Sequence, residues 1–254
     1  MQNKPLTTQK IHPATAAVWA ALIAAGHLLP TIPILGTGSV FSLSHALSPL
    51  SGIFFGPLAG ALCSAAGGFT GSLIAAHTAW MGPFTFIMGT VTAFTSGCIA
   101  LGKWPPVTVS KSGSFVINGG IIVYAAGTAL WFTQETGRSI LIFPAVYYGL
   151  GFAVMITGII FAGRMLVSKK KFLKLPALWL CAFGGLVGGA AIGNFFSLVL
   201  YKQPREIWAA LTIAAPVERA IFALGAMIIG SPILEGLNKI GIKAGPRISE
   251  ENEN

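Results

Sequence analysis

Residues 11–102 form a run of 92 consecutive positions without a single Asp, Glu, Lys or Arg. No soluble domain could solvate a surface built from such a segment, because soluble folds depend on charged side chains to cover their outside. Three further charge-free runs follow at 112–134, 139–163 and 175–201, with 23, 25 and 27 residues. At ~1.5 Å per residue, each suits a helix crossing a hydrocarbon layer roughly 30 Å thick. The pattern predicts an all-α membrane protein that crosses the bilayer repeatedly.

Proline and glycine divide the runs into spans. Helix 1 is expected over 14–35, its end "LLPTIPILGTG" turned into a loop by Pro30, Pro33, Gly36 and Gly38. A short helix 2 covers 39–55. Gly56-Pro57 then opens helix 3 and Gly82-Pro83 opens helix 4, which runs to about 102, since proline suits a first turn where its missing N–H has no partner to lose. Segments 114–133, 140–167 and 176–201 supply helices 5 to 7, and the last helix starts at Pro216 or earlier and runs to about 234.

Basic residues orient these spans, because Lys and Arg gather on the cytoplasmic side. Twelve of the sixteen fall together on that side: Lys4, Lys10, Lys103, Lys111, Arg164, Lys169, Lys170, Lys171, Lys174, Lys239, Lys243 and Arg247. Arg138, Lys202 and Arg205 fall opposite, with Arg219 near the start of the last helix. The asymmetry requires an even number of crossings, four of them before Lys103. The expected arrangement is thus about eight transmembrane helices with N and C termini cytoplasmic, multi-pass in the cell membrane. The chain divides into a cytoplasmic segment 1–13, helices 1–4 over 14–102, a hairpin over 114–167, the last two helices with an outer loop over 176–238, and a tail over 239–254. The formal charge of +9 reflects this bias meeting anionic lipid. Nucleic-acid binding is not expected, as no basic patch carries interleaved aromatics.

Several chemistries lack their parts. The chain has no Asp, and of its seven Glu only Glu218 falls in a membrane-embedded stretch, so paired carboxylates and carboxylate metal cages are missing. The histidines, His12, His27, His45 and His77, show no HExxH spacing, and there is no Walker A or GxSxG pattern. Cys63, Cys98 and Cys181 sit in separate spans as packing residues. An enzyme, a metal and a cofactor are therefore not expected.

Binding and transport remain. Helix 1 carries two i, i+4 rows of alanine, Ala16, Ala20, Ala24 and Ala17, Ala21, Ala25, which permit close approach of another helix. That double face is wider than one neighbour needs, which points to a partner protein. Helix 7 has similar glycine rows, Gly184, Gly188 and Gly185, Gly189, Gly193, suited to packing within the chain.

The stretch "IPILGTGSVFSLSHALSPLSGIFFGPLAGALCSAAGGFTGSLI" resembles the helix 1 to helix 3 region of S components, the substrate-binding subunits of energy-coupling factor (ECF) transporters, in their riboflavin-type branch. The matching features are the proline-broken end of helix 1, the short helix 2 and "FFGPLAG" opening helix 3. "PVERAIFALGAMIIGSPILEGL" is similar to their final helix. The likeness covers about residues 14–102 and 176–240. Such subunits usually have six helices, so 114–167 reads as an inserted hairpin on a six-helix bundle. The resemblance implies capture of a vitamin-like small molecule on the outer side. It further implies docking, through the alanine rows, on a transmembrane coupling protein driven by a cytoplasmic ATPase pair.

In the eight-helix arrangement the sparse polar groups collect near the outer helix ends. A substrate pocket there would use His45, His77 and Trp80, with Asn194 from inside helix 7. His77 also reads as an interfacial histidine, and Trp80 as an aromatic-belt residue. Two readings of Glu218 and Arg219 stand: charges in a fresh first turn at the water boundary after Pro216, with 205–215 an interfacial segment, or a ligand-binding arginine paired with its neighbour. Two other functions compete with substrate capture: a non-catalytic structural subunit of a larger membrane complex, and a secondary transporter, although paired broken helices and mid-membrane ionisable groups are not evident.

Overall fold

The computed structural model of the protein describes residues 6–8, 11–102, 118–242 and 244–248. Lys4, Lys10, Lys103, Lys111 and Lys243, used above to orient the chain, lie outside that set, as do 114–117 of the hairpin and the last six residues.

The first described element is a two-residue strand, β1 (Leu6–Thr7). Helix α1 (Pro13–His27) follows, with proline in its first turn and the His12 ring nitrogen accepting from the Ala14 N–H at 3.3 Å. It ends well before residue 35. Pro30 and Pro33 lack the N–H a helix needs, and the chain instead forms β2 (Pro30–Pro33) antiparallel to β3 (Val40–Ser42), turned by Gly36 and Gly38 at φ 76° and 72°. Helices α2 (Ser44–Phe55) and α3 (Pro57–Ile74) meet at Gly56, whose φ of 87° is open to glycine alone without strain. The Gly-Pro pair there breaks one helix and starts the next, as the sequence predicts. Helix α4 (Phe86–Leu101) is reached through 3₁₀ turns at Ala76–Thr78 and Gly82–Thr85.

The hairpin is built from α5 (Gly119–Thr133), the short α6 (Glu135–Ser139) and α7 (Gly149–Leu166), the last entered by a π-helical turn at Pro144–Tyr148. Two long helices follow, α8 (Lys171–Tyr201) and α9 (Arg205–Lys239), then β4 (Arg247–Ile248). Here one expected boundary is corrected, since Pro176 does not begin a helix but lies inside α8, while the last helix takes the earlier of its expected starts, at Arg205, with Pro216 inside α9. Each proline removes one backbone bond, and the helix continues because apolar surroundings offer the flanking peptide groups no better partner.

Helices α4 and α8 form the centre: α4 packs on α2, α3, α5, α7 and α8, and α8 also touches α2, α5, α7 and α9. The glycine rows of α8 face α4, where a Cβ at Gly185, Gly188 or Gly189 would overlap Ser96, Thr95 or Thr92. These rows therefore serve close helix packing inside the bundle. Strand β1 pairs with β4, Leu6 opposite Ile248 and Thr7 opposite Arg247, and the Gly245 N–H donates to the Phe54 carbonyl at 2.8 Å. The first and last described elements thus meet at one end of the bundle, beside the end of α2.

Four helical segments are long and apolar enough to cross a bilayer, Pro57–Ile74, Pro144–Leu166, Lys171–Tyr201 and Arg205–Lys239, while α1, α4 and α5 are shorter apolar helices. Their outward faces are apolar too. Leu58, Leu62, Phe69 and Leu73 stand exposed along α3, and Ile213, Val217, Ile221, Leu224 and Ile228 along α9, all at helical spacing. A water-exposed protein does not carry apolar stripes of that length without a partner, whereas a bilayer covers them. The architecture is that of an all-α membrane protein.

Candidate ligand-binding site

Because α9 runs unbroken from Arg205, Glu218 lies 13 residues inside it, ~20 Å from its start, and not in a fresh first turn. Both side chains are buried, at 12% and 8% relative exposure, and the Arg219 guanidinium donates to Glu218 Oε2 at 3.2 Å. Neighbours on a helix point about 100° apart, so this i, i+1 pair meets at a single contact rather than as a two-toothed fork. The guanidinium also lies 4.8 Å over the Phe41 ring. Tyr147 interacts with the guanidinium as well, so Arg219 is placed among Glu218, Phe41 and Tyr147.

Two narrow cavities adjoin at this arginine, sharing Arg219 and Met88 in their walls. The first, about 20 Å³, is walled by His27, Ser44, His45 and Thr92; the second, about 40 Å³, by Trp80, Asn194, Trp208 and Glu218. Each is sized for one to a few waters, so any larger ligand needs the helices to part.

His45 is held edge-on to Phe41 at 4.7 Å, its ring nitrogen 3.5 Å from the Ser42 N–H. His27 closes α1 and bonds through Nδ1 to the Thr78 hydroxyl at 2.9 Å. The one proton of that hydroxyl goes to the Ala75 carbonyl at 2.8 Å, so His27 Nδ1 must be the donor and its Nε2 is left for another partner. Trp80 stacks on Tyr201 at 6.0 Å, and the Tyr201 hydroxyl donates to the Trp80 carbonyl. Asn194 donates to the Tyr148 hydroxyl at 3.3 Å.

The hairpin supplies an aromatic wall. Trp131, Phe143 and Trp208 lie 4.5 to 5.1 Å apart, centroid to centroid, with Tyr147 stacked on Phe143 at 5.2 Å. Buried polar atoms are normally satisfied. Here the indole N–H groups of Trp80 and Trp208 have no partner among the described residues, and the Tyr147 hydroxyl faces the Glu218–Arg219 pair.

Of the residues singled out in the sequence, His45, Trp80, Asn194, Glu218 and Arg219 come together around the two cavities. His77 does not: it stands exposed on the 3₁₀ turn and lines neither. The alanine rows separate, with Ala24 buried and Ala16 and Ala20 half-buried on the side packed against α3, and Ala17, Ala21 and Ala25 exposed. Sequence reasoning passed over His27, Tyr147 and Trp208. A histidine inside an expected helix and aromatics in apolar spans carry no pattern that separates them from packing residues. Among the described residues, no group of three or more His, Cys, Asp or Glu could hold a metal ion.

No protein-family model matches the chain, and no curated protein or solved structure matches it significantly.

Proposed function

We propose that this protein is the substrate-capture subunit of a nutrient uptake transporter of the ECF type. It would bind a small, vitamin-like molecule and rely on a transmembrane coupling protein with a cytoplasmic ATPase pair for energy. In this reading the chain makes eight crossings of the cell membrane, with both ends on the cytoplasmic side and the two cavities in the outer half. The observation that carries it is Arg219, a buried cation in the wall common to two cavities, beside two indole N–H groups that have no hydrogen-bond partner among the described residues. Such a group suits a ligand with a carboxylate, a phosphate or a ring rich in acceptors. The side chains present bind and orient; nothing in the reading asks them to make or break a bond. The exposed row of Ala17, Ala21 and Ala25 is the proposed docking face for the coupling protein.

Native mass spectrometry of gently solubilised protein tests the reading. The wild type should carry a small molecule. The double variant Glu218→Gln with Arg219→Met, which removes both charges and keeps the bulk, should fold but lose it. A wild type without bound solute, or a variant that retains it, would dismiss Arg219 as the anchor.

A further inference from the structure

At the opposite end of the bundle from the cavities, the ends of α7, α8 and α9 and strand β4 enclose an open groove of about 310 Å³, roughly ten times the share of one water in the liquid. Its walls combine apolar side chains, Leu166, Leu234 and Ile248, with Lys174, Asn238 and Arg247. Lys174 and Arg247 are half-buried, and neither side chain makes a hydrogen bond or ion pair with a described residue. Glu235, close enough to feel the charge of Lys174, already accepts from Lys171 at 2.9 Å. Asn238 donates to the Leu234 carbonyl at 2.8 Å, which leaves its side-chain oxygen as an acceptor. Lys169, Lys170 and Lys239 stand exposed at the same end. So do Phe172, Ile240 and Ile248, large apolar side chains at 66%, 71% and 55% exposure.

Two cations with no ion pair to a described residue, in a groove with one apolar wall at the end of three apolar helices, match an anion that is itself part apolar. We infer that this groove binds the phosphate ester of an anionic phospholipid headgroup. Lys174 and Arg247 hold the phosphate, the Asn238 oxygen accepts from a headgroup hydroxyl, and the acyl chains leave over Phe172 and Ile240. The site stands apart from the proposed substrate cavities and does not depend on that reading.

The test uses the full-length protein in neutral detergent with three probes: short-chain phosphatidylglycerol, phosphatidylcholine of the same chain length, and glycerol 3-phosphate. Phosphatidylglycerol should be retained in native mass spectra and raise the unfolding temperature, while phosphatidylcholine should do neither. In Lys174→Ala with Arg247→Ala, affinity for phosphatidylglycerol should fall about thirtyfold, with the unfolding temperature in plain detergent unchanged. Replacing the exposed Lys169 and Lys170 instead should have a far smaller effect. Equal retention of both lipids, or a double variant that binds like wild type, overturns the proposal. Glycerol 3-phosphate stabilising as well as phosphatidylglycerol overturns the lipid as source. An effect that emerges only after deleting Glu250, Glu251 and Glu253 would make the groove the seat of the chain's own acidic end, and overturns it too.

Discussion

Asn118 makes three bonds from one buried amide. Its nitrogen donates to the carbonyls of Cys98 and Gly102 at 2.9 and 2.8 Å, and its oxygen accepts from the Gly120 N–H at 2.9 Å, so one side chain ends α4 and caps α5. Asn118→Ala should cost roughly 1 to 3 kcal/mol, read as a lowered unfolding temperature, because three backbone groups lose their partner at once. The Glu218–Arg219 pair obeys a different arithmetic. Arg219→Ala alone leaves a buried carboxylate uncompensated and should destabilise by about 3 to 5 kcal/mol, whereas the charge-free double variant should recover most of that loss. Thermal unfolding of the single and double variants checks it. The pair was legible in the sequence because it interrupts an apolar stretch. Its depth was not, since proline marks a helix start and a tolerated interior position with the same letter. Asn118 gave no signal, as its partners lie 16 and 20 residues away in the chain.

Among the elements, α8 and α4 approach so closely that the glycine rows are obligatory. A Cβ on Gly189 would come 2.7 Å from the Met88 carbonyl oxygen, which cannot swing aside as a side chain does. Gly189→Leu should therefore destabilise by ~1 to 3 kcal/mol or more, visible as loss of monodisperse protein on heating. Helix α1 presents the contrasting case. Its exposed row tolerates bulk, so Ala21→Trp should leave stability and ligand retention intact. In the proposed reading it should abolish co-purification with a coupling protein, and normal co-purification would remove α1 as the docking face. Boundaries at Gly56-Pro57 could be read from sequence because glycine and proline there agree with each other. The end of α1 could not, because the β2–β3 pairing that replaces its last turns depends on residues on both sides of a loop.

For the molecule as a whole, the proposed reading has an even number of crossings, with which the meeting of β1 and β4 at one end of the bundle accords, and the proposed orientation gives it a direction. Cys63, Cys98 and Cys181 are buried, so an engineered cysteine can report alone. A cysteine at Lys202 should react with an impermeant maleimide applied to intact cells, and one at Lys170 should react only after the membrane is opened. The reverse result would turn the capture site toward the cytoplasm. What joins the two ends has a temporal meaning as well. Leu6 and Thr7 find their ladder partners at Ile248 and Arg247, so the ribosome must deliver residue 248 before strand β1 can settle. Final closure of this bundle is thereby reserved for a polypeptide whose synthesis has passed α9 and β4, and a product truncated before them would be left with an unmated edge for quality control to find.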